Sequence, residues 1–270
     1  MAFLFFYLLL GLLQGSLEWL PVSSQGQILL IGLFYSEFNT ELLLRIAFFL
    51  HFGTMMVVLI KFRSDWMDVV DYKNDEFTKL REFLVLTTIG TAVTGIPIRI
   101  LLFDLFESSN FAFMSMIILG LALIATGGFL YLNDKNIGEN AFHNLSRRQM
   151  ILVGMFQGFA IIPGVSRSAV TVSILLFLKI RPHSAFKGSF LISVPAVLGS
   201  IGLEILDAFV NDENLFLDIN LVGMLFAIIT AFVVGYFTIQ ILLSVARNYK
   251  FSKITISMGI IVLIVAMIGF

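Results

Sequence analysis

The chain has 270 residues, of which 59% are hydrophobic and 13% charged, and its mean hydropathy is +0.98. Soluble domains carry about 25% charged and 45–50% apolar residues, and a single core of this size could not cover the excess. A net charge of −1 and the absence of cysteine exclude a nucleic-acid binder, a disordered scaffold, a disulfide framework and thiolate chemistry, which leaves an integral membrane protein.

The opening residues, MAFLFFYLLLGLLQG, lack the basic flank of a secretory signal and read as mature structure. One helical crossing of a bilayer takes about 20 apolar residues. The first apolar region, about 2–35, is too broken for that: its runs flank Gln14-Gly15-Ser16-Leu17-Glu18-Trp19-Leu20-Pro21-Val22-Ser23-Ser24-Gln25-Gly26-Gln27. Spanning helices are expected next over 44–61, 83–103 and 111–132. A second broken region, about 150–180, is interrupted at Pro163-Gly164-Val165-Ser166-Arg167-Ser168, and further spans are expected over 187–206, 219–243 and 253–270. Neither half of a broken region is long enough to cross, so each predicts a re-entrant helical hairpin.

Basic residues orient these elements. Lys and Arg cluster in 61–83, 133–149, 179–187 and 244–253, whereas 36–44, 104–110 and 207–218 carry acids and no Lys or Arg. The positive-inside rule places the first group in the cytoplasm and the second outside, with both termini outside. The first hairpin then opens to the outer face and the second to the cytoplasm. The expected fold is therefore all-α and integral to the membrane, one domain over 1–270. Its two halves, about 1–135 and 145–270, are each a hairpin plus three spanning helices of opposite orientation. Gln14-Gly15 with Val22-Ser23 matches Gln157-Gly158 with Val165-Ser166 at one constant offset, a faint echo of an inverted repeat. One irregular helix per region is the plainer reading.

Once the loops are set aside, three basic residues remain: Arg45, Arg99 and Arg167. Arg45 and Arg99 lie near helix ends, where a long side chain reaches the interface, and Glu204 is read the same way. Arg167 and Glu18 are each surrounded by apolar sequence, one in each break. A charge at depth costs at least about 2.5–3.5 kcal/mol and marks function. A bare ion-paired lock between the hairpins is the alternative, but such a pair is weak support for stability.

Ser166, Arg167 and Ser168 stand at the start of a short helix, where free N–H groups and the helix dipole favour an anion. Arg167 offers forked donors matched to phosphate, and Gly164 permits close backbone approach. Thr171 follows on the same side of that helix. The other break supplies a carboxylate, Glu18, four residues after Gln14, with Ser23, Ser24, Gln25 and Gln27. Glu18 suits a general base, and either Ser24 or a water positioned by the carboxylate suits a nucleophile. Base, nucleophile and oxyanion clamp fit phosphoryl transfer. His51, alone on an apolar helix within Leu50-His51-Phe52-Gly53-Thr54, is a packing residue or a member of the site. His143 and His183 are read as solvated.

QGSLEWLPVSSQGQ and PGVSRSAVT resemble the two motifs of the bacterial undecaprenyl-diphosphatase (bacitracin-resistance) family, and LHFGT and FLISVPAVLG resemble further segments of it in the same order. The resemblance implies a multi-pass plasma-membrane enzyme with inverted repeats. Such an enzyme removes the terminal phosphate of a polyprenyl diphosphate and so recycles the lipid carrier of cell-wall glycan synthesis. It also implies a divalent cation, Mg²⁺ or Ca²⁺. Carried over, Gln14 and Glu18 match a Glu/Gln-x-x-x-Glu pair and Ser24 a motif serine, while Ser166, Arg167, Ser168 and Thr171 match the phosphate-binding segment. The family usually has histidine where this chain has Gln27. An amide cannot carry a proton near neutral pH, though it can hydrogen-bond a phosphate oxygen. Gln14 also leaves one carboxylate fewer, so the cation would be held by Glu18 and the substrate phosphates.

The expected partners are thus a polyprenyl diphosphate and the bilayer, with no nucleic acid; the sequence leaves a homodimer open. A polyprenyl-phosphate flippase on the same scaffold is the rival reading, since opposed hairpins suit alternating access. A channel is weaker, for no ring of repeated polar residues lines the spans.

Overall fold

A computed structural model of the chain describes residues 2–20, 23–32, 40–71, 78–106, 138–162, 165–211, 219–245 and 251–269, with separate helical positions between 114 and 131. Its elements are α1 (Ala2–Leu17), α2 (Ser24–Gly32), α3 (Thr40–Lys61), α4 (Arg63–Val70), α5 (Thr78–Phe106), α6 (Arg147–Gly158), α7 (Arg167–Phe177), α8 (Pro182–Val210), α9 (Leu221–Val245) and α10 (Phe251–Gly269). Within the described residues four helices are long and apolar enough to cross a membrane: Leu42–Lys61, Thr78–Leu101, Pro182–Val210 and Leu221–Ser244. They coincide with four of the six expected spans. The span expected over 111–132, and the connections around 36–39, 107–110 and 212–218, lie wholly or largely outside the described residues.

Large apolar side chains stand bare on the long helices. Leu101 is 75% exposed, Phe237 65% and Phe209 85%. Water would not tolerate so many such residues together, whereas lipid accepts them. Backbone polar groups in lipid must be satisfied internally, which is why the described long apolar segments are helices.

Both broken regions are built from short helices. α1 has 16 residues and α6 has 12, lengths of about 24 and 18 Å at the α-helical rise, short of a 30 Å bilayer core. α1 packs on α2, and α6 on α7. Local chemistry sets the ends. Ser23 Oγ accepts from the Gly26 N–H at 3.0 Å and starts α2. Ser146 and Gln149 form a reciprocal capping box at the start of α6. Ser166 caps α7 by accepting from the Ala169 N–H. Pro182 opens α8 at a position where a missing N–H costs nothing.

The most extensive helix pairings are α5 with α6 and α1 with α9. Both depend on two glycines one turn apart. A Cβ on Gly11 would lie 2.3 Å from the Ala227 carbonyl oxygen, and one on Gly15 2.7 Å from that of Ala231 and 2.8 Å from the Gly235 nitrogen. In the other pair, a Cβ on Gly154 would lie 2.0 Å from the Thr87 oxygen, and one on Gly158 2.9 Å from the Thr91 oxygen and 2.7 Å from the Gly95 nitrogen. Small residues let the backbones close together where no water drives helix association.

Two buried clusters flank the centre. One gathers Phe6, Tyr7, Leu10, Leu43, Ile46 and Leu50 with Met224 and Ala227; the other gathers Trp19, Phe83, Phe186 and Phe190 with Val57 and Val153. Trp19 ties the end of α1 to the carboxyl-terminal half: its indole N–H donates to the Gly235 carbonyl at 3.1 Å and its ring meets Phe190 edge-on at 5.2 Å. Arg99 does not reach out to the interface alone. It is buried and bonds Glu204 at 3.0 Å and Asp207, joining α5 to α8.

Candidate active site

Glu18 follows the last residue of α1, and its N–H still bonds the Gln14 carbonyl at 3.1 Å. The chain turns there rather than continuing the helix. Arg167 is the first residue of α7. The two breaks place these residues together: Arg167 Nη2 donates to Glu18 Oε1, and Arg167 Nη1 donates to the Ser189 carbonyl of α8 at 3.3 Å. The second carboxylate oxygen, Glu18 Oε2, accepts from Gln14 Nε2 at 2.9 Å and from Ser24 Oγ at 2.9 Å. Both side chains of the ion pair are largely shielded, 5% exposed for Glu18 and 14% for Arg167.

A small cavity opens against this cluster. Glu18, Ser23, Ser24 and His51 line one side; Ser166, Arg167 and Ser168 line the other. Its volume is about 50 Å³, room for one or two waters rather than a diphosphate. The sequence reading expects Glu18, Ser24 and Arg167 around one cavity about a diphosphate wide; the three do line one cavity, and it is much smaller than that.

The serines have distinct roles. Ser24 Oγ donates to the carboxylate, while Ser23 Oγ is committed to the α2 backbone. Ser166 Oγ lies 3.2 Å from Ser168 Oγ, and Ser168 donates to the Leu20 carbonyl at 2.6 Å, stitching one break to the other. Thr171 is buried behind Arg167, donating to its carbonyl at 2.8 Å and meeting Ser189 Oγ at 2.5 Å. Gln27 sits half-buried in α2, and the residues lining the cavity do not include it. Gly164, like Pro163, Pro21 and Val22, lies outside the described residues.

His51 is carried into the site by α3. Its Nδ1 lies 2.6 Å from the Ala47 carbonyl, and its Nε2 lies 3.4 Å from Glu18 Oε2. The sequence contained no signal for this contact, because nothing in the spacing of 18 and 51 relates two separate helices. Ser189 was missed for a similar reason: a serine in an apolar helix is ordinary. Gln25, whose buried Nε2 has no hydrogen-bond partner among the described residues, also borders the cavity.

For a divalent cation the protein offers part of a donor set. Glu18 would supply one carboxylate, and Gln14 Oε1 is a buried oxygen with no hydrogen-bond partner among the described residues. Among the described residues no group of three or more His, Cys, Asp or Glu could hold an ion. Hard cations accept such sparse sites when substrate phosphates and water complete the shell.

Fold and site together define a multi-pass helical membrane protein in which a carboxylate from one broken segment meets a guanidinium and a helix N-terminus from the other. The chain belongs to the bacitracin resistance protein BacA family, which it matches over residues 7–265. It is similar to proteins named undecaprenyl-diphosphatase in several organisms. That of Methanothrix thermoacetophila is 36% identical over 256 residues, 95% of this chain and 94% of the relative. That of Sulfurisphaera tokodaii is 35% identical over 261 residues, 97% and 96% of the two chains. That of Methanopyrus kandleri is 32% identical over 259 residues, 95% and 94%.

Proposed function

We propose that this protein is an undecaprenyl-diphosphate phosphatase, hydrolysing the terminal phosphate of the lipid diphosphate to return the carrier monophosphate to cell-wall synthesis. The observation that carries the reading is Ser24 Oγ donating to Glu18 Oε2 at 2.9 Å, beside Arg167 and the N-terminus of α7. The names of the relatives support the same reaction and substrate. No observation favours transport of the intact headgroup.

The isoprenoid tail stays in lipid and the diphosphate comes to the cavity from the outer side of the plasma membrane, an orientation supported by the Lys/Arg distribution. Arg167 moves from Glu18 onto the terminal phosphate, where its fork matches two oxygens. The first-turn N–H groups of α7 and the Ser166 and Ser168 hydroxyls receive the remaining charge. Ser24 Oγ then attacks phosphorus as Glu18 takes its proton, and the bond to the bridging oxygen breaks with its electron pair on the lipid monophosphate. Water releases phosphate from the serine. When bound, Mg²⁺ or Ca²⁺ neutralises diphosphate charge; Glu18 and Gln14 Oε1 would hold it.

The halves are read as an inverted repeat with two re-entrant hairpins. The matching glycine contacts support this: shifting Gly11 and Gly15 by 143 gives Gly154 and Gly158, and shifting Ala227, Ala231 and Gly235 back by 140 gives Thr87, Thr91 and Gly95. The test is turnover of a C55 diphosphate in proteoliposomes. Phosphate release supports the phosphatase, whereas transbilayer headgroup movement without release overturns it.

A further inference from the structure

A second and much larger cleft, of about 970 Å³, shares no lining residue with the Glu18–Arg167 cavity. We propose that it binds the phosphate-bearing headgroup of an anionic membrane lipid, an inference that stands apart from the phosphatase reading. Its size is that of a ligand pocket. The residues around it lie at the ends of membrane-crossing helices: Lys79 at the start of α5, Arg181, Ser184 and Lys187 at the start of α8, and Asp65 in α4, directly after α3. That is the level of lipid headgroups. The Lys/Arg distribution supports a cytoplasmic position, where the leaflet is anionic and basic pockets between helices take headgroups.

Charge selects the ligand. Lys79, Arg181 and Lys187 line the cleft against one carboxylate, Asp65, which Lys187 Nζ bonds at 2.7 Å. Lys79 Nζ bonds Glu82 at 3.0 Å, but Glu82 also takes Arg147, next to the lining residue Ser146. Four cations therefore share two carboxylates. Arg181 is exposed and forms no ion pair among the described residues. Its forked donors match phosphate oxygens, and Lys79 adds a point charge beside them. α8 starts after Arg181 with no side-chain cap, so the positive helix end adds to the same wall. Leu80, Phe142 and Leu145 also line the cleft, and such apolar surface suits the glycerol and first methylenes of a lipid better than a free anion.

The walls hold the cleft open. The connection over 138–146 is fixed to the start of α8: the Arg181 N–H donates to the Asn140 carbonyl at 2.9 Å, and the Phe142 N–H donates to Ser184 Oγ at 3.1 Å. The Phe142 ring packs on Phe83 of α5 with 4.7 Å between centroids. Collapsing the cleft onto its own cations would break these contacts. An anion from outside neutralises the charge without that cost.

The test is native mass spectrometry of the full-length protein released from a neutral detergent and titrated with dioctanoyl phosphatidylglycerol, dioctanoyl phosphatidylcholine or inorganic pyrophosphate. Phosphatidylglycerol is expected to bind at least about 10-fold more tightly than phosphatidylcholine. Arg181→Ala and Lys79→Ala, both at exposed positions, should each weaken that binding by about 10-fold, with thermal unfolding as the control for folding. Either variant suffices if the other misfolds. Arg63→Ala removes an exposed cation outside the lining and should stay within about twofold of wild type. Equal affinity for the two lipids overturns the assignment, as does binding of pyrophosphate without phosphatidylglycerol. So does wild-type affinity in the folded Arg181 and Lys79 variants, or an equal loss in Arg63→Ala. None of these results bears on phosphate release from a C55 diphosphate, so failure here and failure of the phosphatase reading are distinct.

Discussion

Glu18 and Arg167 are 149 positions apart in the chain, yet Arg167 Nη2 donates directly to Glu18 Oε1. Neither residue has a reason to sit in an apolar segment without the other. Desolvation cancels much of the attraction of such a pair, so it makes a poor fastener. In the proposed reaction a diphosphate would part the two, freeing the guanidinium for phosphate and the carboxylate for the serine proton.

That reasoning gives a stability prediction. Glu18→Gln alone leaves the Arg167 charge buried without its counter-charge and should cost about 3–5 kcal/mol. The double variant Glu18→Gln, Arg167→Met removes both charges and should recover most of that loss while remaining inactive. Thermal unfolding in detergent, read beside phosphate release, checks both parts.

Ser24→Ala should reduce phosphate release by at least about 100-fold, because no other hydroxyl donates to Glu18 Oε2 among the described residues. Rapid acid quenching of the wild type during turnover, followed by peptide mass analysis, should find phosphate on Ser24. Turnover without any phosphoserine would transfer the attack to water.

The glycine contacts give a prediction about assembly. Gly154→Ala drives a Cβ to 2.0 Å from the Thr87 oxygen, and Gly11→Ala drives one to 2.3 Å from that of Ala227. Each should destabilise by about 1–3 kcal/mol, since backbone cannot yield cheaply. Gly128, where a Cβ would meet none of the described residues within 4 Å, is the control. Alanine there should be neutral or stabilising by up to about 1 kcal/mol.

A site with one carboxylate should bind its cation together with substrate. Chelation should abolish turnover and Mg²⁺ or Ca²⁺ restore it, while calorimetry without lipid diphosphate should show no tight binding. Tight cation binding by the protein alone would demand donors beyond Glu18 and Gln14.

The clearest sequence signals were isolated exceptions to an apolar background. Glu18 and Arg167 stood out because hydrocarbon on both sides makes a charge costly, and their meeting followed from pairing the two breaks. The short helices were legible because Pro, Gly and Ser interrupted runs already too short to cross. Contacts between separate long helices were not legible. Nothing in Leu50-His51-Phe52 points to Glu18, and nothing around Ser189 marks it as the carbonyl that holds Arg167. From sequence alone Arg99 reads as interfacial, because a lone arginine near a helix end usually snorkels. Its bonds to Glu204 and Asp207 depend on how α5 lies against α8, which periodicity does not encode. The size of the cavity was equally hidden, since it depends on how side chains from α1, α2, α3 and α7 pack around it.

The most direct measurement is inorganic phosphate released from C55 diphosphate by purified wild-type protein, Glu18→Gln and Arg167→Ala, all confirmed as folded. The account predicts steady release by the wild type and a loss of at least about 100-fold in each variant. Equal release by all three would contradict it.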